Sequence, residues 1–180
     1  MSMKAPPFVT FIALLAGCES TSEPQPEPYQ STENAWSHGH SLAFDGLTRT
    51  YSLYAPTNGD ARGLVVVLHG GGQSVDHLVS KLEAEATAEE NGLVVAVPAG
   101  VDYGWNDEDP PGDGLADDVG FIDALVEEIK AEYPGLPSSK VFAHGFSNGG
   151  GLATRLACES SQIRGIGVVG NYYMPLFEDC

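Results

Sequence analysis

Positive charge is scarce in this chain. Eight Lys and Arg stand against 25 Asp and Glu, a formal charge of -17 over 180 residues. A surface of that sign repels phosphate backbones and anionic bilayers beyond a Debye length, so no nucleic acid is expected as a partner. The acidity is read as a solubility device of an exported protein rather than as an acid-specific role. A long apolar run is also missing. The one candidate, Phe8 to Ala16, is too short to cross a bilayer as a stable helix, which excludes a transmembrane anchor there. No internal repeat is present, and the length suits one hydrophobic core and one domain.

What the N-terminus does hold is an export signal. Lys4 supplies a short positive region, Phe8 to Ala16 the apolar one, and small residues follow at Ala16 and Gly17. Leu15-Ala16-Gly17-Cys18 resembles the bacterial lipoprotein cleavage box, so residues 1–18 are expected to be a signal ending at a lipidated Cys18. That places the protein on the cell envelope, or outside the cell if the signal is an ordinary secretory one. Glu19 to Asn34 is rich in Ser, Thr, Glu, Pro and Gln and too poor in apolar side chains to offset its own ordering entropy. Residues 19–40 are therefore expected to be a flexible spacer before a domain at 41–180. Export also means an oxidising compartment. With Cys18 set aside, Cys158 and Cys180 remain as a pair able to close a loop of about 22 residues, a stabilisation of about 3 kcal/mol.

From Arg49 onward, short β-rich runs alternate with helical spacing. Arg49 to Tyr54 reads as an edge strand ending before Pro56, and Gly63 to Leu68 has the unalternating apolar character of a strand buried on both faces. Val75, Leu78, Val79, Leu82 and Ala86 recur at helical spacing and predict a helix ending near Asn91-Gly92. Leu93 to Pro98 is a second buried strand. Asp117 or Asp118 caps a helix that carries Ile122, Leu125, Val126 and Ile129 on one face; Val141 to Phe146 is strand again, Gly149 to Ser160 helix and Ile163 to Val169 strand. Strand and helix in alternation imply an α/β fold, a mostly parallel sheet with helices on both faces.

The sharpest chemical signal is Gly145-Phe146-Ser147-Asn148-Gly149, a Gly-x-Ser-x-Gly pattern between a buried strand and a helix. A nucleophile on such a turn is lifted clear of the sheet, and the glycines are needed because a Cβ there collides with neighbouring backbone. His69-Gly70-Gly71-Gly72 follows the strand Gly63 to Leu68, where a glycine loop can bring a backbone N–H to a developing oxyanion. The donor there is Gly71 or Gly72. The second donor is expected from the N–H of Asn148, at the start of the helix.

Arg49-x-Tyr51-x-Leu53-Tyr54-x-Pro56, Leu68-His69-Gly70, Trp105-Asn106, Asp117-Asp118-Val119-Gly120-Phe121-Ile122, Gly145-x-Ser147-Asn148-Gly149-Gly150 and Arg155-Leu156-Ala157-Cys158 follow one another in an order that resembles the polyhydroxybutyrate depolymerase and feruloyl or acetylxylan esterase family of α/β-hydrolases. The resemblance runs from about Ser41 to Cys180. It implies secreted hydrolysis of carboxylic esters in a polyester or a plant cell-wall polysaccharide, without cofactor, with Ser147 as nucleophile. Trp105 and Tyr103 are candidates for lining the substrate mouth, where aromatic rings stack on sugar or phenolic groups; anchoring of the loop into the core is the alternative.

The departure from the family is equally plain. Its triad runs Ser, Asp, His, yet no His follows Ser147, and Glu159, Glu178 and Asp179 are the only acids left. His144 alternates along the nucleophile strand and is read as a sheet residue rather than a base. Without a base the Ser147 hydroxyl is a weak nucleophile, so this chain alone is expected to be inert and the domain truncated at its C-terminus. The acidic stretch from Asp102 to Asp118 does not match a calcium loop, because Pro111 occupies a ligand position, and is read as a solvated loop with no metal. Two other functions stay open: a peptidase of the same fold, and a noncatalytic surface lipoprotein that binds polysaccharide.

Overall fold

A computed structural model describes residues 36–108 and 115–171. The signal, Cys18, Cys180 and most of the expected spacer lie outside the described residues. The elements are β1 (Trp36–Phe44), β2 (Leu47–Tyr54), β3 (Gly63–Leu68), α1 (Val75–Leu82), α2 (Glu85–Asn91), β4 (Leu93–Pro98), α3 (Asp118–Glu132), β5 (Val141–Phe146), α4 (Asn148–Glu159) and β6 (Gly165–Val169). The strands form one sheet in the order β1-β2-β4-β3-β5-β6. β3, β4, β5 and β6 run parallel, and β1 and β2 add an antiparallel pair at one side.

The parallel centre follows from composition. Leu64, Val66, Val94, Ala96, Val141 and Ala143 point to one face, where they meet Phe121, Ile122, Leu125 and Ile129 of α3 and Leu152 and Leu156 of α4 in the larger core. Val67, Val95 and Val97 point the other way and are covered by Val75, Leu78, Val79 and Leu82 of α1 and by Ala88 of α2. Both faces of β3 and β4 are therefore buried, as an unbroken apolar run requires. Farther out, Phe142 sits in register beside Val65, and Phe142, Phe146 and Val169 remain exposed.

Three expectations need correction. The ordered sheet reaches back to Trp36, into the segment assigned to the spacer. β2 is consequently an inner strand rather than an edge, with β1 and β4 on its two sides. The signal for this hairpin is present in Asp45-Gly46, both at positive φ (46° and 74°), the pair that a tight β-turn favours. The single helix expected up to Asn91 is two helices. Glu83 turns left-handed at φ 42°, and α2 restarts at an angle that lets Trp36 donate to Glu85 (2.8 Å) and the Tyr54 hydroxyl to Glu89 (3.0 Å). Gly92, at φ 65°, ends α2 as expected.

Candidate active site

β5 ends at Phe146, α4 begins at Asn148, and Ser147 alone makes the corner, with φ 52° and ψ -120°. That conformation is disfavoured for any residue with a side chain. The corner is held by backbone: the Ser147 N–H donates to Val169 O (2.8 Å), and the Ser147 carbonyl accepts from Gly151 N–H (3.0 Å) and from the Asn171 side chain (2.8 Å). The flanking glycines have no room for anything larger. A Cβ on Gly145 would stand 2.0 Å from Gly149 O, and one on Gly149 would stand 2.4 Å from Leu68 O. A serine at a helix start ordinarily turns its hydroxyl onto the helix; here the Ser147 side chain makes no capping bond, and it is only half-buried.

The His69–Gly72 turn lies beside this corner, because β3 and β5 are neighbours with Leu68 opposite Gly145. A Cβ on Gly71 would lie 3.6 Å from the Asn148 side chain. The three glycine N–H groups differ in their commitments. Gly70 N–H donates to Gln73 Oε1 (2.9 Å) and Gly72 N–H to Tyr103 O (2.8 Å), while no acceptor stands opposite Gly71 N–H among the described residues.

His69 is buried, and both ring nitrogens are engaged. Gly100 N–H donates to Nε2 (2.9 Å), so the proton sits on Nδ1, which donates to Gly70 O (2.9 Å). Burial pushes its pKa below the ordinary 6.5, against the opposing pull of the Gly70 carbonyl and of Asp118. His69 is thus a neutral brace rather than an available base. His144 is half-buried on β5 and faces Gly167 across the ladder, where a Cβ would come 2.7 Å from its ring.

A third segment, residues 99–107 after β4, ties these pieces together. Val101 to Gly104 form a tight turn in which Gly104 N–H bonds Val101 O (2.9 Å), with Asp102 and Tyr103 both at positive φ (49° and 61°). Trp105 lies under the turn, 6% exposed, with its indole N–H on His69 O (2.9 Å) and its ring 4.8 Å from the His69 ring. The Asn148 side chain accepts from Trp105 N–H (2.8 Å) and donates to Trp105 O (3.0 Å). Beneath lies a buried ion pair: Arg49 meets Asp118 at 2.7 Å, Arg49 also reaches Ala99 O (3.1 Å), and Asp118 accepts from Asn106 N–H (2.7 Å). Arg155 adds a bond to Asn106 O (2.9 Å).

Ser147, Gly71, Gly72 and Asn148 therefore come together at the ends of β3 and β5. Of the two aromatic candidates, Tyr103 is exposed (61%) at the turn tip, whereas Trp105 is sunk beneath it, in the anchoring position. A cleft of about 440 Å³ runs past Tyr103 between His69, Gln73, Asp76, Asp102 and Ser52. Cys158 is disulfide-bonded, and both other cysteines lie outside the described residues. In the acidic stretch Asp102 and Tyr103 are exposed, as a solvated loop requires, whereas Trp105 and Asp118 are buried; residues 109–114 within it lie outside the described residues. Among the described residues no group of three His, Cys, Asp or Glu is placed to hold a metal. Sequence reading missed Gln73, Asn171 and the Arg49–Asp118 pair. No sequence signal singles out the last, since β2 also carries Thr48, Thr50 and Ser52 and α3 several further charges.

No protein-family model matches the chain. Among curated proteins it is 32% identical over 131 residues to the Aspergillus niger protein named "Probable feruloyl esterase C", covering 67% of this chain and 46% of that protein. It is 35% identical over 86 residues to "Feruloyl esterase C" of Emericella nidulans, covering 47% of this chain and 29% of that one. The chain spans about a third to a half of the length of the first curated relatives it matches. Among solved structures, a ferulic acid esterase superposes with a TM-score of 0.57 at 15% identity, over 73% of this chain and 58% of its own. That likeness is one of fold.

Proposed function

We propose, from the similarity to feruloyl esterases over two thirds of the chain and the fold shared with a solved ferulic acid esterase, that the chain belongs to the feruloyl esterase group of the α/β-hydrolase family and that the whole protein is a serine carboxylic-ester hydrolase with Ser147 as its nucleophile. The observation that carries this reading is the strained corner at Ser147, walled by glycines that admit no side chain and set beside the Gly71 N–H, which has no acceptor among the described residues. Ser147 Oγ attacks the ester carbonyl, and the oxygen that becomes negative is received by the N–H groups of Gly71 and Asn148. Gly72 is the weaker candidate of the two glycines, since its N–H is already given to Tyr103 O.

Attack also needs a base to take the hydroxyl proton and an acid group to orient that base. His69 is neutral and engaged on both sides, and His144 faces Gly167, so neither is placed for this work. Since the family this chain resembles places its Asp and His after the serine and no His follows Ser147, the base and its partner are assigned to residues beyond these 180, in keeping with a chain that matches half or less of these relatives. The substrate is proposed to be an ester carried on a polymer, a plant cell-wall polysaccharide or a polyester, with the exposed Tyr103 at the mouth. Cys18 is proposed to hold the protein at the cell envelope through a lipid, and Cys158 to pair with Cys180.

The test is hydrolysis by the full-length protein of methyl ferulate, p-nitrophenyl acetate and a peptide panel, with Ser147→Ala as control. Ester turnover abolished by the substitution supports the reading. Peptide turnover without ester turnover means a peptidase of the same fold. Retention on polysaccharide without any hydrolysis means a binding protein.

A further inference from the structure

We propose that Asn148, through its carboxamide, and Trp105, through its indole N–H on the His69 carbonyl, are positioning residues that set the distance between the two oxyanion amides. The inference rests on the reading of Gly71 and Asn148 as the amide donors.

The two amides belong to different segments. Pairing of β3 with β5 ends at Leu68 and Gly145, and beyond that point each segment leaves the sheet. Among the described residues, no side-chain or turn hydrogen bond joins 69–73 directly to 147–150. Gly149 packs directly against the Leu68 and His69 carbonyls, but the hydrogen-bonded link between the two segments is the 99–106 loop. The glycine turn is fastened to it at three places: Gly100 N–H on His69 Nε2 (2.9 Å), Trp105 Nε1–H on His69 O (2.9 Å) and Gly72 N–H on Tyr103 O (2.8 Å). The elbow is fastened to it at two, both on Trp105 and both through the Asn148 carboxamide (2.8 and 3.0 Å). The loop has its own footing in Arg49, Asp118 and Arg155, which are all buried. Trp105 therefore touches one segment with its indole and the other with its peptide groups.

The chemistry selects the residue types. Asn148 must accept from an N–H and donate to a C=O of the same neighbour, which a carboxamide does and a carboxylate does not. His69 must accept at one nitrogen and donate at the other, which a neutral imidazole does. Asn148 is engaged at both ends, so its side chain is turned onto the loop rather than toward an ester. Its contribution to turnover passes through the placement of its own N–H and that of Gly71. Misplacing such a donor acts on the transition state, where the oxygen is charged, and leaves ground-state binding nearly untouched.

The experiment uses the full-length protein with p-nitrophenyl acetate, and phenylboronic acid as a tetrahedral mimic bound to the serine. Asn148→Asp is expected to lower kcat by about 10- to 100-fold with KM within about twofold, and to weaken the boronic acid by the same factor as kcat. Trp105→Phe, which removes only the indole bond, is expected to lower both by less. The double variant is expected to fall short of the product of the two, because both act through one peg. Unchanged kcat in Asn148→Asp, or a loss confined to KM, overturns the proposal. Should Asn148→Asp fail to fold, an unchanged boronic acid affinity in Trp105→Phe overturns it instead. If Ser147→Ala keeps full turnover, the nucleophile itself is misassigned, a different failure from the one tested by the Asn148 series.

Discussion

Nε2 of His69 accepts the backbone N–H of Gly100 at 2.9 Å, which leaves the buried imidazole one protonation state compatible with the fold. Its pKa lies below 6.5 in the folded protein, chiefly because burial disfavours the charged ring. The unfolded chain therefore binds a proton before the folded one does. The contribution to stability is complete above pH 6.5, shrinks as the pH falls through that value, and levels off once the folded pKa has been passed. Urea midpoints measured for wild type and His69→Gln at about pH 7.5 and about pH 5.5 check this. The drop between the two is expected to be larger in wild type. The variant starts lower by about 1 kcal/mol, since the half-buried N–H of Gly100 has lost its acceptor.

The pair formed by Arg49 and Asp118 carries a second expectation. Both side chains are almost wholly buried, 4% and 1% exposed, and Asp118 also receives the Asn106 N–H. Removing one partner strands the other charge in the interior. Asp118→Ala is thus expected to cost about 3–5 kcal/mol in denaturant unfolding. Asp117→Ala is expected to cost about 1 kcal/mol, because Asp117 acts chiefly as the cap of α3, bonded to Gly120 N–H at 2.9 Å. Equal losses would contradict this division of labour.

How far the sequence reveals this arrangement depends on the range of the forces concerned. β3 and β4 are legible to the residue because burial on both faces leaves unbroken runs such as Leu64 to Leu68. The elbow is legible because its Gly-x-Ser-x-Gly pattern is local in sequence, although only Gly145 answers to backbone close by, at Gly149, and Gly149 answers to Leu68 and His69 of another segment. β1 is missed because its burial is patchy and its polar residues resemble the segment before it. The division of roles between Asp117 and Asp118 is not legible either: both can cap a helix, and only the arrival of Arg49, from another strand, sends one of them inward. Trp105 is the same case, with two uses open to its ring until the fold places His69 and Asn148 on either side of it.

The glycines of the elbow predict a loss without any change of polarity. A methyl group at Gly149 would stand 2.4 Å from Leu68 O and 2.5 Å from His69 O, both of them backbone. Gly149→Ala is expected to cost about 1–3 kcal/mol or more, as overpacking of a rigid site does. Gly135→Ala meets nothing within 4 Å and is expected to be near neutral. Thermal unfolding of the two variants side by side is the measurement.

Cys158 near the end of α4 is disulfide-bonded. If its partner is Cys180, peptide mapping of the unreduced protein is expected to recover the two as one species. Reduction is then expected to lower stability by about 3 kcal/mol, the value for a loop of about 22 residues. Recovery of Cys158 joined to any other thiol rejects the pairing.

The strain at Ser147 predicts a substitution that raises stability while removing the proposed nucleophile. Its φ of 52° and ψ of -120° cost about 1–3 kcal/mol for a residue with a Cβ. The bonds from Val169 O and Asn171 and the close packing of Gly145 and Gly149 keep the backbone from relaxing. Ser147→Gly abolishes the strain at an entropic cost of about 0.5–1 kcal/mol, so a net gain of about 1 kcal/mol is expected. Ser147→Ala keeps its Cβ and hence the strain, and its stability is expected to stay near that of wild type. Both variants lose the hydroxyl, so activity cannot tell them apart and unfolding free energy must. If alanine stabilises as much as glycine, the cost lies in burying the hydroxyl rather than in the backbone. The corner would then not be the strained perch that a nucleophile there requires.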